Sequence, residues 1–355
     1  MKIGFLTSIP LTIESFFLDW IKEWTERGWE VHAAAGGPEP DGLCATSYSD
    51  IDGLTQDPSL RSIKALRSLA DWRATHELDL VVVNTATASA LYRLLPRRNT
   101  RTVYFCHGLH FGDRPETPVD RAFWLAERAL LGRTDGAIVM NSADVEFFTG
   151  ALDKSLVHML DAGVGLDTDA WTPRSTRRSE NGSGGDTGTK LVWMGMFTAR
   201  KRPADAVRVL AALRHEAEPE TTLTMLGTGP LADEVRELIH ELGLADAVTM
   251  PGQVDPRSYL ADADVLVHTA EWEGYCRTLM EASYIGLPAV SYDVKGCRDV
   301  FGVEAIGQPG DVHGLAKAVL RVREAAPAIE SRPDFSWQSA FESTSAFLER
   351  TFAVR

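Results

Sequence analysis

Two doubly wound α/β domains joined by a linker are the architecture this 355-residue sequence predicts, and three observations lead to it. Short apolar strand-like runs alternate with helical patterns through the first half, which argues for a parallel sheet. A low-complexity stretch rich in Gly, Ser and Thr, residues 174–190, interrupts the alternation. The alternation then restarts at Leu191. A chain this long also exceeds one ordinary core. The expected division is an N-terminal domain over 1–172, a flexible linker over 173–190, a C-terminal domain over 191–334, and a closing helix over 335–355 that packs back on the N-terminal domain, with a cleft between the two sheets.

The first strand is Ile3-Gly-Phe-Leu-Thr7, followed by a turn at Pro10. Ile13, Phe16, Phe17, Trp20, Ile21 and Trp24 then recur at helical spacing, and Gly28 ends that helix. The aromatic stripe reads as packing against the sheet, with a membrane-docking face as the alternative. Further strands are expected at Glu30–Ala35, Leu80–Asn84, Thr102–Cys106 and Gly136–Met140, and after the linker at Leu191–Met194, Thr221–Leu226, Val248–Met250 and Val265–Val267. Phe335-Ser-Trp337 opens a last helix reaching about Phe352.

Charge and cysteine usage exclude several classes. The net charge of -14 is spread over both halves, so neither is a basic nucleic-acid binder nor drawn bodily to an anionic membrane. Cys44, Cys106, Cys276 and Cys297 are widely scattered, with no pair at metal-ligand spacing, and read as reduced thiols of a cytosolic protein. Lys2 and the apolar run after it imitate a signal peptide, but Glu14 and Asp19 interrupt the run. No run of about 18 apolar residues is present. The expected location is cytoplasmic, with peripheral attachment to a membrane at most.

The most informative stretch is Glu273-Gly-Tyr-Cys-Arg-Thr-Leu-Met-Glu281, which precedes Gly286-Leu-Pro288 and a buried strand, Ala289–Tyr292. With Glu273 just before a helix, a ligand would meet Glu273, the amides of residues 274 to 278, and then Glu281. Free amides at a helix start favour an anion such as phosphate. Two acids flanking that position suit a ligand with hydroxyls on both sides of a phosphate, which is the layout of a nucleotide sugar. Solvated or capping glutamates are the bland alternative. The upstream strand Val265–Val267 favours the site, because open α/β sheets bind ligands beyond their strand ends.

These residues resemble glycosyltransferase family 4, the retaining GT-B enzymes of polysaccharide-biosynthesis type. Glu273-Gly-Tyr-Cys-Arg-Thr-Leu-Met-Glu281-Ala is similar to the family's Glu-Gly-Phe-Gly-x-x-x-x-Glu-Ala, and Gly286-Leu-Pro-Ala-Val290 to its Gly-Leu-Pro-Val-Val. Leu226-Gly-Thr-Gly-Pro230, Gly163-Val-Gly-Leu-Asp167 and Cys106-His-Gly-Leu-His-Phe111 are weaker matches in the same order along the chain. The resemblance implies that Glu281 holds the ribose hydroxyls. Glu273 and the residues after it, Gly274, Tyr275, Cys276, Arg277 and Thr278, would hold the donor sugar. Lys201, in the segment opened by Gly195, would grip the diphosphate. His107 would face the reacting sugar, and Val254 would lie in the loop near the base.

The chain departs from the family in three places. Met196 stands where an arginine usually follows Gly195, so Arg200 or Arg202 would have to replace a phosphate contact. Cys276 stands at the second glycine of Glu-Gly-Phe-Gly. Ser8-Ile-Pro-Leu11 replaces the glycine pair often found after the first strand. Taken alone, His107 reads as a satisfied buried histidine, His110 is as readily structural as functional, and Arg200-Lys201-Arg202 reads as a solvated helix start. Cations there are unfavourable unless an anion comes to them, which favours a phosphate role. Gly227-Thr-Gly229-Pro-Leu-Ala232 fits a relaxed dinucleotide fingerprint only weakly.

The function implied is retaining transfer of a hexose from a nucleotide-diphosphate sugar to a hydroxyl of a saccharide, a lipid-linked saccharide or a small metabolite. The donor is a co-substrate; no metal, other cofactor or nucleic acid is expected. A nucleotide-sugar epimerase and a non-catalytic nucleotide-sugar-binding subunit on the same fold are the rival readings.

Overall fold

A computed structural model describes residues 1–57, 62–112, 114–173, 188–324 and 333–352. The chain divides into two compact units, Met1–Val164 with Gln338–Arg355, and Gly165–Trp337. The low-complexity stretch at 174–187 lies outside the described residues.

The first unit runs β1 (Lys2–Leu6), α1 (Pro10–Phe16), α2 (Leu18–Glu26), β2 (Glu30–Ala35), β3 (Ser47–Asp50), α3 (Ser62–His76), β4 (Leu80–Asn84), α4 (Ala86–Leu94), β5 (Arg101–Phe105), α5 (Pro118–Leu130), β6 (Gly136–Val139), α6 (Ser142–Thr149) and β7 (Val157–Met159). Its seven strands are ordered β3-β2-β1-β4-β5-β6-β7, and every pairing is parallel. β4, Leu-Val-Val-Val-Asn, is buried along its whole length, as an interior parallel strand covered on both faces must be. The order reverses between β1 and β4, so crossovers leave in opposite directions there, the position at which open α/β sheets bind ligands.

The sequence reading erred locally in this unit. Pro10 does not make a turn but is the first residue of α1, where its fixed φ suits a helix start and its missing N–H costs nothing. The expected single helix over the aromatic stripe breaks at Phe17, whose backbone leaves the helical region. The break lets the Phe17 ring pack edge-on against Phe5 at 4.9 Å and Phe105 at 5.4 Å. Phe17, Trp20 and Trp24 are fully buried, which removes them from any membrane-docking face.

The second unit runs β8 (Lys190–Met194), α7 (Pro203–Glu216), β9 (Thr222–Leu226), α8 (Ala232–Glu241), β10 (Val248–Gly252), α9 (Arg257–Asp262), β11 (Val265–His268), α10 (Arg277–Ile285), β12 (Ala289–Tyr292), β13 (Val303–Ile306) and α11 (Val312–Glu324). Its parallel order is β10-β9-β8-β11-β12-β13, with the reversal between β8 and β11. α12 (Trp337–Phe352) closes the chain, and from Gln338 it belongs to the first unit. There Phe341 packs on Trp20, ring centroids 5.8 Å apart, and Ser345 Oγ accepts a hydrogen bond from Trp24 Nε1 at 2.8 Å. Burying those aromatic faces is what holds the helix. β3, β7 and β13 were not anticipated: each is short, and none is fully buried, so none shows an apolar run.

Among the described residues, no helix is long and apolar enough to cross a membrane.

Candidate functional site

In the second unit the residues singled out from the sequence gather at the C-terminal ends of parallel strands, around the β8/β11 reversal. Gly195 follows β8, Gly227 follows β9, Val254 lies two residues past β10, and Glu273 lies five past β11. Gly227 has φ +126°, and a Cβ there would lie 2.0 Å from the Gly195 carbonyl. The Gly-x-Gly-Pro turn therefore serves close packing against the loop after β8, which accounts for the weak dinucleotide signature. Val254 is partly exposed at this edge, and Met196 points outward with 62% of its surface exposed.

The centre is the Glu273 carboxylate, 8% exposed as a residue and surrounded by cations. Arg200 NH1 donates to Oε2 at 2.9 Å and to the Trp272 carbonyl at 2.9 Å. Lys201 Nζ donates to Oε1. His268 Nε2 lies 3.3 Å from the same oxygen. Burial alone would raise the Glu273 pKa; His268, Lys201 and Arg200 outweigh it and hold the group well below the usual carboxylate range. Burial alone would likewise lower His268, but Cys276, whose Sγ is 3.3 Å from Nε2, and Glu273 prevail and lift it to about 9. Arg202 is committed elsewhere: in the left-handed region at φ 48°, it binds Asp205 at 2.7 Å and Glu271 at 3.2 Å. Of the two arginines considered as replacements at Met196, the geometry brings Arg200 to Glu273.

α10 begins as its sequence directs, with Gly286 at φ 80° as its left-handed C-cap. Glu281 sits in its second turn, 8% exposed, its Oε1 3.3 Å from Arg277 Nε. Burial pushes its pKa up to about 7, against the opposing pull of Arg277. One expectation needs correction: the amides of 274 to 278 do not all point outward unpaired. Cys276 N–H donates to the Gly296 carbonyl at 2.9 Å, because the segment after β12 closes over the start of α10. Gly296, at φ +73°, permits that approach: a Cβ there would lie 2.3 Å from the Glu273 carbonyl.

The raised Glu281 pKa makes a stability prediction. A carboxyl whose folded pKa exceeds its unfolded value contributes stability that is full below about 4.5 and lost as pH rises through about 7. Glu281→Gln removes that loss. The melting temperature of the variant relative to the wild type should therefore rise between pH 5 and pH 8, by differential scanning calorimetry. A difference constant across that range would show that Glu281 ionises normally.

Three participants escaped the sequence reading. His268 passed as the end of an apolar strand, although a histidine closing Val-Leu-Val five residues before an acid was a usable signal. Lys295 is 1% exposed, with Nζ 5.8 Å from the Trp272 ring centre, and its carbonyl accepts from Glu273 N–H at 2.9 Å. Cys297 follows it. Cys276 and Cys297, judged to lack metal-ligand spacing, come together with His268 so that their ligand atoms all lie within 4.8 Å of one another. Folding rather than spacing unites them, through the two loops beyond β11 and β12.

In the first unit His107 follows β5 beside the β1/β4 reversal. Its ring stacks on Phe105, centroids 5.1 Å apart, and Nε2 lies 3.2 Å from Asn84 Oδ1. Asn84 Nδ2 donates to the Leu6 carbonyl, which leaves Oδ1 to accept and assigns the proton of His107 to Nε2. Desolvation by the surrounding rings lowers the His107 pKa to about 4, although one edge of the residue stays open to solvent, so the imidazole is neutral near pH 7. Asp144 Oδ2 accepts from Leu109 N–H at 3.2 Å and holds the loop. His110 is exposed and lies against Phe123 at 5.4 Å. Thr85, beyond β4, has φ 61°, a strained value for a β-branched residue, and its hydroxyl is 2.6 Å from that of Ser8.

Comparison with known proteins agrees with this arrangement. A family model for glycosyl transferases group 1 matches residues 177–336, and one for a glycosyl transferase 4-like domain matches residues 12–163. The chain belongs to the group 1 glycosyltransferases of GT-B fold. It is 26% identical over 314 residues to EpsD of Bacillus subtilis, a protein named as a glycosyltransferase, covering 84% of this chain and 80% of that one. Among solved structures, sucrose-phosphate synthase from Thermosynechococcus elongatus matches with a TM-score of 0.77 at 18% identity, covering 99% of each chain. HepE from Anabaena, solved in complex with UDP and glucose, matches with a TM-score of 0.71 at 18% identity, covering 99% of this chain and 100% of that one. At these identities the structural matches speak to the fold.

Proposed function

We propose that this glycosyltransferase moves a hexose from a nucleotide-diphosphate sugar to an acceptor hydroxyl with retention of configuration. The observation that carries the reading is the buried Glu273 carboxylate held by Lys201, Arg200 and His268 at the sheet reversal, with Glu281 further along the helix that follows. A nucleoside diphosphate brings phosphates to the two exchangeable cations, ribose hydroxyls to Glu281 and the sugar to Glu273. The HepE complex with UDP and glucose supports a donor of this class.

As the sugar–phosphate bond breaks, negative charge grows on the leaving diphosphate. Lys201 and Arg200 meet it without reorganising, because they are already fixed in place. Inversion needs a general base opposite the leaving group. Retention needs only that the acceptor enter on the leaving-group side and give its proton to a diphosphate oxygen. His107, neutral and held by Asn84, is assigned to the acceptor side as a hydrogen-bonding group. The acceptor hydroxyl belongs to a saccharide, a lipid-linked saccharide or a small metabolite.

The test is product stereochemistry. An α-linked donor should give an α-linked product, read from the anomeric coupling in its NMR spectrum, and activity should persist in excess EDTA. A β-linked product, or activity abolished by chelation and restored by Mg²⁺, would overturn the mechanism while leaving transfer itself intact.

A further inference from the structure

Beneath Glu273 lies a cluster whose two thiols the proposed transfer does not use. His268 ends β11, Cys276 caps α10, and Cys297 lies in the segment after β12, all three buried. His268 Nε2 and Cys276 Sγ are 3.3 Å apart, and the three ligand atoms lie within 4.8 Å of one another. Tetrahedral zinc holds sulfur at about 2.3 Å and nitrogen at about 2.0 Å, which sets neighbouring ligand atoms roughly 3.5 to 3.8 Å apart. The cluster therefore needs only small side-chain shifts to close on an ion. Its backbone is fixed by the Cys276 N–H to Gly296 carbonyl bond, so the ligands are held together before any ion arrives.

We propose that His268, Cys276 and Cys297 form a binding site for a zinc-class divalent cation, with Glu273, beside His268, as the carboxylate that would move in to supply the fourth ligand. Two thiols and an imidazole select a borderline-soft ion over magnesium or calcium, which take oxygen ligands. Glu273 Oε1, 3.3 Å from His268 Nε2, is the nearest carboxylate. On binding, one divalent ion enters and two protons leave, one from Cys297 and one from the hydrogen-bonded His268–Cys276 pair, so the charge inside the cluster is conserved despite nearby Lys201. His268 Nδ1 is buried without a hydrogen-bond partner among the described residues. A metal-bound histidine normally donates its second N–H, so the affinity should fall below that of a structural zinc site. Coordination by Glu273 draws that carboxylate from Lys201 and Arg200 and frees both cations for phosphate, and zinc thereby favours nucleoside-diphosphate binding. This consequence, unlike the site, rests on the donor reading above.

Cobalt(II) titration of the full chain carrying Cys44→Ser, which removes the exposed thiol, tests the site directly. One equivalent should produce a thiolate-to-cobalt charge-transfer band and the visible bands of a tetrahedral ion. Cys276→Ser and Cys297→Ser should each reduce the band and weaken binding by at least about tenfold. Should a variant fail to fold, X-ray absorption of the zinc-loaded parent decides: two sulfur neighbours support the site, and oxygen and nitrogen alone overturn it. Absence of the charge-transfer band also overturns it. Calorimetric titration of UDP then tests the consequence, which predicts tighter binding with zinc than with EDTA; equal or weaker affinity with zinc overturns the coupling. A metal-free protein that binds no nucleotide would count against the donor reading and not against the site.

Discussion

Replacing Lys201 with alanine should lower kcat by about two to three orders of magnitude while raising KM far less. That is the usual cost of removing one fixed group that meets charge developing in the transition state. Lys201 is well placed for the role. It ends a short 3-10 turn, Ala199–Lys201, whose final carbonyls are pinned by the Thr269 hydroxyl. Its side chain is only 16% exposed, and its ammonium already lies on Glu273. On the proposed mechanism charge on the diphosphate is greatest as the bond from sugar to phosphate breaks, so the lysine should stabilise the transition state more than bound donor. The fold should survive, because Arg200 and His268 continue to neutralise Glu273. Steady-state kinetics with saturating acceptor separates the cases. A rise in KM at constant kcat would assign Lys201 to ground-state binding alone.

What the sequence disclosed and what it hid follow from how local each signal was. The interior strands declared themselves because a parallel strand covered on both faces must be largely apolar, and β4 and β11 are so up to their last residues, Asn84 and His268. Edge strands β3, β7 and β13 bury less and carry no such run. Glu273, Glu281 and Gly286 were legible as a group because one loop and one helix set their spacing. The partners of Glu273 were not. Arg200 lies 73 residues away along the chain, and Lys201 72. Their convergence depends on β8 and β11 lying side by side at the reversal, and the register of that pairing leaves no trace in either segment. Cys276 and Cys297 were misjudged for the same reason: spacing rules presume ligands on one local element, whereas these come from loops beyond two adjacent strands. The break at Phe17 was invisible because the stripe keeps helical periodicity across it.

Glu273→Gln should destabilise the protein by about 3–5 kcal/mol, the cost of removing one partner from a buried ionic cluster. The substitution keeps the side-chain volume, so the loss reports charge and not packing. Arg200, Lys201 and protonated His268 would be left facing one another without a counter-charge. For a unit of this size, roughly 2–4 °C of melting temperature is lost per kcal/mol, so a fall on the order of 10 °C is expected. The pH dependence identifies the cause. Glu273 has a depressed pKa, so its contribution is present above the unfolded value of about 4.5 and constant at higher pH. His268 has a folded pKa raised to about 9 from about 6.5. Its contribution is therefore complete below pH 6.5 and lost as pH rises through 9. Cys276, the larger cause of that rise, remains in the variant, but the part due to Glu273 is gone, so the variant has less of this contribution to lose. The gap in melting temperature between wild type and Glu273→Gln, measured with EDTA present, should accordingly narrow between pH 6.5 and pH 9. A gap independent of pH would mean that Glu273 does not raise the His268 pKa, and that Cys276 alone keeps the imidazole charged.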